Sequence, residues 1–259
     1  MMHQDDKSKE MVKRQFAQHA DKYVASESHA KGNDLALLVA WLQPHSAWVA
    51  LDVATGGGHV AKTLAPHVAH VFATDLTPRM LMRAAEHLRP ECPNIWYMVA
   101  DAEALPFLDR TFDAVTCRIA PHHFPRPEEF IREVARVLKP GGRFLLIDNV
   151  SPEDKQLGLF INKIEKTRDE SHIRCLTIEE WRTLFAAAGL TERRGALRRK
   201  TYDFPVWVAR MARDTKQIEA VEKLLIEAVD EVKQYFAVKI QNEKVISLQV
   251  DEWMVLLEK

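Results

Sequence analysis

Residues 48–58, with the sequence WVALDVATGGG, decide the fold of this 259-residue chain. An apolar run with one acid near its end predicts a short buried strand, and three consecutive glycines predict a tight turn. An amphipathic stretch follows directly, with Val60, Leu64 and Val68 at helical spacing. A strand, a glycine turn and a helix in this order open the first unit of a parallel α/β sheet.

The same alternation continues to residue 150. Two helices are expected, at residues 78–88 and 128–138, and Pro140-Gly141-Gly142 ends the second of them. Strands alternating with amphipathic helices predict an α/β fold, a Rossmann-like three-layer sandwich with helices on both faces of the sheet. The further predicted strands of this region are residues 71–75, 95–100, 112–119 and 144–147.

The whole chain, residues 1–259, is expected to be a single domain. The first dozen residues are expected to form a loose tail, and strands are expected at residues 190–202 and 245–257. The predicted parts of the domain are an N-terminal helical cap (12–44), a cofactor-binding core (45–150) and a C-terminal half (151–259) with a helical insertion at about 205–238.

Composition excludes several classes of protein. Hydrophobic residues make up 47% and charged residues 28%, and 36 Lys and Arg nearly balance 37 Asp and Glu. A net charge of -1 gives no field that would attract nucleic acid or an anionic membrane, so neither partner is expected. No apolar run is long enough for stable membrane insertion, and three scattered cysteines with a polar N-terminus predict a cytoplasmic protein. The spacing of His59, His67 and His70 predicts no metal site.

Three acids follow successive predicted strands, namely Asp52, Asp75 and Asp101. Carboxyl ends of parallel strands meet at one edge of the sheet, so these acids are expected around one ligand. Gly56 and Gly58 also satisfy the dinucleotide fingerprint, which leaves an NAD(P)-dependent oxidoreductase as one interpretation. A pyrophosphate beside Asp52 would be repelled, whereas the ammonium and sulfonium of S-adenosyl-L-methionine (SAM) would be attracted.

At these positions the chain resembles the class I SAM-dependent methyltransferases. Residues 51–58 resemble the first motif of that family, and Asp75 matches the acid after its second strand. Residues 101–107 (DAEALPF) and 134–142 (VARVLKPGG) resemble the subgroup of ubiquinone/menaquinone C-methyltransferases and related small-molecule enzymes. Phe16, Ala20 and Tyr23 resemble the N-terminal helix of that subgroup.

This resemblance implies a seven-stranded, mostly parallel sheet whose antiparallel last strand lies beside the fifth, plus a helical cap. It implies SAM as cofactor. Ala54 stands where the family usually has glycine, and is expected to fit as the mildest replacement. The implied cofactor-binding residues are Tyr23, Asp52, Ala54, Gly56, Gly58, Asp75, Leu76, Asp101, Ala102 and Arg118.

The segment after the fourth predicted strand carries the candidate catalytic residues, His122 and His123. An imidazole titrates near neutrality, so either histidine could act as a base or hold a hydroxyl group, or could simply pack beneath the loop. Arg118 could bind the cofactor carboxylate or pair with a neighbouring Asp. The predicted function is methyl transfer from SAM to a small organic acceptor at carbon or oxygen. A non-catalytic SAM-binding module is the other alternative, and the oligomeric state is left open.

Overall fold

A computed structural model of the chain describes residues 4–24 and 33–259, which contain eight β-strands and ten α-helices. The strands are β1 (Val49–Val53), β2 (His70–Asp75), β3 (Ile95–Val99), β4 (Phe112–Arg118), β5 (Leu138–Asn149), β6 (Thr191–Asp203), β7 (Lys239–Gln241) and β8 (Lys244–Glu258). The helices are α1 (Gln4–Val24), α2 (Asn33–Leu42), α3 (His59–Leu64), α4 (Pro78–Leu88), α5 (Pro127–Val137), α6 (Lys155–Arg168), α7 (Ile178–Ala187), α8 (Phe204–Ala209), α9 (Thr215–Ile226) and α10 (Asp230–Tyr235).

One sheet organises the molecule, with the strand order β3-β2-β1-β4-β5-β8-β6. The strands β1 to β5 pair in parallel, and β8 is inserted antiparallel between β5 and β6. This confirms the predicted α/β sheet and the antiparallel last strand beside the fifth. The short, fully exposed β7 forms an eighth strand by pairing with β8, and its polar sequence gave no strand pattern.

Apolar side chains cover both faces of the sheet, which confirms the three-layer sandwich. On one face α5 and α7 pack through Phe130 and Phe185 against Phe144 of β5. On the other face α2, α3 and α4 pack, with Leu38 and Leu64 fully buried. The helices therefore bury their apolar stripes against the two faces of the sheet.

A third apolar cluster lies beyond the sheet proper. Asn149 at the end of β5 pairs with Glu252, so residues 244–250 of β8 continue past β5. There residues 247–250 pair with β6, and residues 244–247 pair with β7. The helices α6, α8, α9 and α10 pack on this extension through residues such as Trp207 and Phe236. We call this unit the insertion core. The single helical region expected at 205–238 is three helices. Asp203 and Asp214 cap the first two, and the third begins after Val229.

The N-terminal segment differs from the predicted loose tail. Within the described residues α1 begins at Gln4, and its first turn carries Asp5 and Asp6, which complement the positive end of the helix dipole. Lys9 pairs with carboxylates 92 and 94 residues away in the chain. A polar composition that suggested a solvated tail therefore belongs to a helix held by charged contacts.

The glycine turn after β1 bends through left-handed backbone. Gly56 and Gly58 have φ of 55° and 80°, and a Cβ atom on Gly58 would lie 2.5 Å from Cδ1 of Leu88. Ala54 adopts φ of 53°, which is unfavourable for any residue with a Cβ atom. Alanine fits this position as expected, but with backbone strain that glycine would not have.

We expect Ala54→Gly to raise the free energy of unfolding by about 1 kcal/mol, because glycine removes the left-handed strain. The matched change Gly58→Ala is expected to lower it by about 1–3 kcal/mol, since the new Cβ atom meets Leu88. Urea unfolding of both variants measures the two effects. An Ala54→Gly variant that is less stable than the parent would show that the turn is not strained there.

Candidate functional site

A cleft opens at the carboxyl ends of β1, β2 and β4, beneath α1. The empty space within it, including the part that is open to solvent, is about 1020 Å³. Most of the site residues expected from the sequence line it, as does His123. Gly58 and His122 lie behind the lining, and the side chain of Tyr23 lies outside the described residues. The expected cofactor residues in the lining are Asp52, Ala54, Gly56, Asp75, Leu76, Asp101, Ala102 and Arg118.

Asp52 is a buried carboxylate held by two hydroxyl groups. The hydroxyls of Thr55 and Thr116 donate to its two oxygens at 2.6 and 2.8 Å. Burial raises the pKa of the Asp52 carboxyl to about 6, because desolvation outweighs these hydrogen bonds. Near neutral pH Asp52 therefore offers a poorly neutralised negative charge to the cleft.

Asp75 fixes the glycine turn to the end of β2. One of its oxygens accepts a hydrogen bond from the backbone N–H of Gly56 at 3.0 Å, and the other accepts from that of Thr77 at 2.8 Å. Burial raises the pKa of this carboxyl as well. The side chain lines the cleft while its backbone contacts hold it in one orientation.

Asp101 and Glu103 bind Lys9 of α1, a contact that sequence reasoning missed. The Lys9 ammonium lies 2.6 Å from the Asp101 carboxylate and 2.5 Å from that of Glu103. Glu103 also accepts a hydrogen bond from the backbone N–H of Arg126. Lys9, Val12 and Phe16 line the cleft at helical spacing, and this spacing was the available signal that α1 extends toward its N-terminus.

Arg118 forms the ion pair that the sequence left as an alternative. Its Nε lies 2.5 Å from the carboxylate of Asp34, at the start of α2. The Nη2 atom is buried and has no hydrogen-bond partner within residues 4–24 and 33–259. A buried cationic donor without an acceptor at a cleft wall fits the carboxylate of a bound ligand.

The two candidate histidines have different surroundings. His122 is clamped to Asp148 at the end of β5, because the carboxylate contacts both its backbone N–H (3.0 Å) and its Nδ1 (2.7 Å). Burial by itself lowers the pKa of the His122 imidazole. The charge and hydrogen bond of Asp148, with the charges of Glu165 and Asp169, outweigh burial and bring the pKa above its ordinary value. His123 lines the cleft, and its ring packs edge to face with that of Phe16, with the ring centroids 5.1 Å apart. Burial and the neighbouring His122 lower the pKa of His123 to about 4.

The backbone at the end of β4 is strained where the loop enters the cleft. Ile119 has φ of 53°, a conformation that branched side chains rarely adopt, and it lines the cleft beside Ala120. Its N–H donates to the carbonyl of Ile147 at 2.8 Å, which holds it in place. Such strain is characteristic of loops that position functional groups.

Several known proteins similar to this chain are described as methyltransferases. Residues 51–146 match the family model described as "Methyltransferase domain". The uncharacterized methyltransferase YcgJ of Bacillus subtilis is 33% identical over 234 residues, which cover 90% of this chain and 92% of that protein. The crystal structure of a candidate methyltransferase from Bacillus halodurans matches with a TM-score of 0.86 at 37% identity, over 88% of this chain and 99% of that one.

A more distant relative has a named biosynthetic role. The ubiquinone/menaquinone biosynthesis C-methyltransferase UbiE of Bartonella tribocorum is 36% identical over 140 residues. These residues cover 48% of this chain and 54% of that protein. The likeness to UbiE is therefore confined to about half of each chain.

Proposed function

Because this chain belongs to the class I SAM-dependent methyltransferases, we propose that it methylates a small organic acceptor at a carbon or oxygen atom and releases S-adenosylhomocysteine (SAH). One observation supports SAM as the cofactor. The carboxylates of Asp52 and Asp75 line the cleft, and neither has an ion-pair partner within 4.0 Å among the described residues. A cationic nucleoside without phosphate suits this charge, and a pyrophosphate does not.

Each end of the cofactor has residues that suit it. We assign Asp52 to the cationic end, Asp75 to the ribose hydroxyls, and Asp101 with Ala102 to the adenine. The buried, unpartnered Nη2 of Arg118 suits the carboxylate of the methionine part. When bound, SAM supplies a methyl group on a positively charged sulfur, and the residues of the chain orient it and exclude water.

The acceptor half of the cleft is mainly apolar. We call it the acceptor wall, formed by Phe16, Ile119, His123, Phe124 and Pro125. An acceptor that carries a full charge would be buried there without a partner, which is costly. The wall therefore supports an uncharged organic acceptor, with His123 as the group that contacts its reacting atom. The name of the Bartonella relative supports carbon as one of the two possible methylated atoms.

The proposed function is tested by separate calorimetric titrations with SAM, SAH and NADH, followed by a methyl-transfer assay. We expect SAM and SAH to bind and NADH not to bind. With labelled SAM, label is expected to pass to an uncharged phenolic or quinol acceptor rather than to a charged amine or phosphate ester. Binding of NADH without SAM would instead support the oxidoreductase, and SAM binding without transfer to any tested acceptor would favour a binding module.

SAM affinity is expected to fall as the pH drops below the pKa of Asp52. That pKa is raised to about 6, so the carboxylate is charged at pH 7.5 and mostly protonated at pH 5. If only the charged form attracts the ligand, affinity falls by up to about tenfold between these values. Calorimetry at both pH values measures the change, with Asp52→Asn as control. The Asn variant is expected to bind weakly at both; an unchanged pH dependence in it would assign the effect to another group.

Asp75→Ala is expected to weaken SAM binding by about 1.5–3 kcal/mol, the value of a hydrogen bond to a charged group. Calorimetry measures the affinity, and circular dichroism verifies the fold, because the substitution also removes the contacts to Gly56 and Thr77. Asp109→Ala removes an exposed carboxylate paired with Arg136 and is the matched control. Equal affinities of the Asp75 and Asp109 variants would contradict the ribose assignment.

A further inference from the structure

His123 is the titratable side chain of the acceptor wall. The other ionisable groups that line the cleft within the described ranges lie toward the cofactor half or bind one another, as Lys9 does with Asp101 and Glu103. The imidazole of His123 is buried between Phe16 on α1 and the segment from Asp169 to Ser171 that follows α6. The contacts between this segment and the ring determine which ring nitrogen can accept a proton from an acceptor.

Ser171 determines which nitrogen of His123 carries the hydrogen. Nδ1 lies 3.1 Å from the backbone carbonyl oxygen of Ser171. A carbonyl oxygen only accepts, so Nδ1 must donate, and in a neutral imidazole the lone pair then lies on Nε2. The Ser171 hydroxyl is 3.3 Å from the same nitrogen but donates to Asp169 at 2.6 Å, so it does not compete as a donor.

Asp169 is placed to favour a proton on the other nitrogen. Its Oδ1 accepts hydrogen bonds from the N–H and the hydroxyl of Ser171. Its Oδ2 lies 3.9 Å from Nε2 of His123, which is too long for a hydrogen bond but short for attraction to a cation. The carboxylate is only 3% exposed, so water screens it little.

The other charged or titratable groups near the ring act in the opposite sense. His122 and Arg168 each disfavour a positive charge on His123. The ring centroid of His172 lies 6.4 Å from that of His123, and burial lowers the pKa of His172 so far that its ring is neutral. Arg168 is itself engaged by Glu165 at 2.7 Å. Asp169 is thus the carboxylate that offsets these groups when the ring takes up a proton.

We propose that His123 accepts a proton through Nε2 during methyl transfer, and that Asp169 and Ser171 are positioning residues that hold it for this role; the inference rests on the proposed function. For a hydroxyl acceptor, an O–CH₃ bond forms as the S–CH₃ bond breaks, and the electron pair of that bond stays on sulfur. The hydroxyl proton passes to Nε2, and Asp169 stabilises the resulting imidazolium. After the product leaves, the ring returns the proton to water.

The tautomer of His123 tests this arrangement without any acceptor. The full chain with ¹⁵N-labelled histidine is saturated with SAH at pH 7.5, and the signals of His123 are identified by their loss in His123→Gln. We expect nitrogen shifts of a neutral ring with hydrogen on Nδ1. Hydrogen on Nε2 would overturn the inference while leaving the proposed function intact, whereas failure of SAH to bind would overturn the proposed function.

A double-mutant cycle tests the role of Asp169 with an acceptor that is active in the methyl-transfer assay. His123→Gln is expected to lower kcat at least about 100-fold, and Asp169→Asn about tenfold, with SAM affinity and the acceptor KM within about twofold. In the His123→Gln background, Asp169→Asn is expected to have no further effect, because Asp169 acts through His123.

Losses that multiply in the double variant would show that Asp169 has only a structural role and would overturn its assignment. Glu170→Gln is the matched control, since Glu170 is the adjacent carboxylate, is 44% exposed and pairs with Arg213. It is expected to leave kcat unchanged. Thermal unfolding of each variant verifies that the altered chains are folded under the conditions of the assay.

Discussion

Two buried carboxylates, held by neutral hydrogen-bond donors, determine the negative charge of this site. Asp52 is held by threonine hydroxyls and Asp75 by backbone N–H groups, so both keep an orientation without an ion pair to any residue that the structure describes. Burying such charge costs free energy that a positively charged ligand can recover. The glycine turn, the strand order and the cover formed by α1 together place the cleft next to these two groups.

The sequence predicted seven of the eight described strands, and most of the site residues expected from it line the cleft, because both depend on local patterns. Each apolar run followed by an acid corresponds to a strand whose carboxyl end reaches the cleft, as with Asp52 and Asp75. The strained Ala54 also lies where the motif placed a turn residue. Strand periodicity and the chemistry of glycine act over a few residues, so they can be deduced without the tertiary structure.

The rest of the site depends on contacts between distant parts of the chain, which no local pattern contains. Lys9 meets Asp101 across 92 residues, and Arg118 meets Asp34 across 84. The sequence made His122 and His123 equal candidates for a catalytic residue. In the structure, His122 contacts Asp148 of β5, whereas His123 contacts Ser171 in the segment after α6. Only the fold separates a clamped histidine from one that faces the cleft.

The insertion core has a consequence for how this protein can diversify. Its apolar cluster is built on strand extensions beyond β5, and α1 contacts it where Gln15 donates to the carbonyl of Met211. The two apolar clusters that flank the sheet include no side chain of α8, α9 or α10. The packing of this outer unit can therefore change without a change in the side chains that cover the two faces of the sheet.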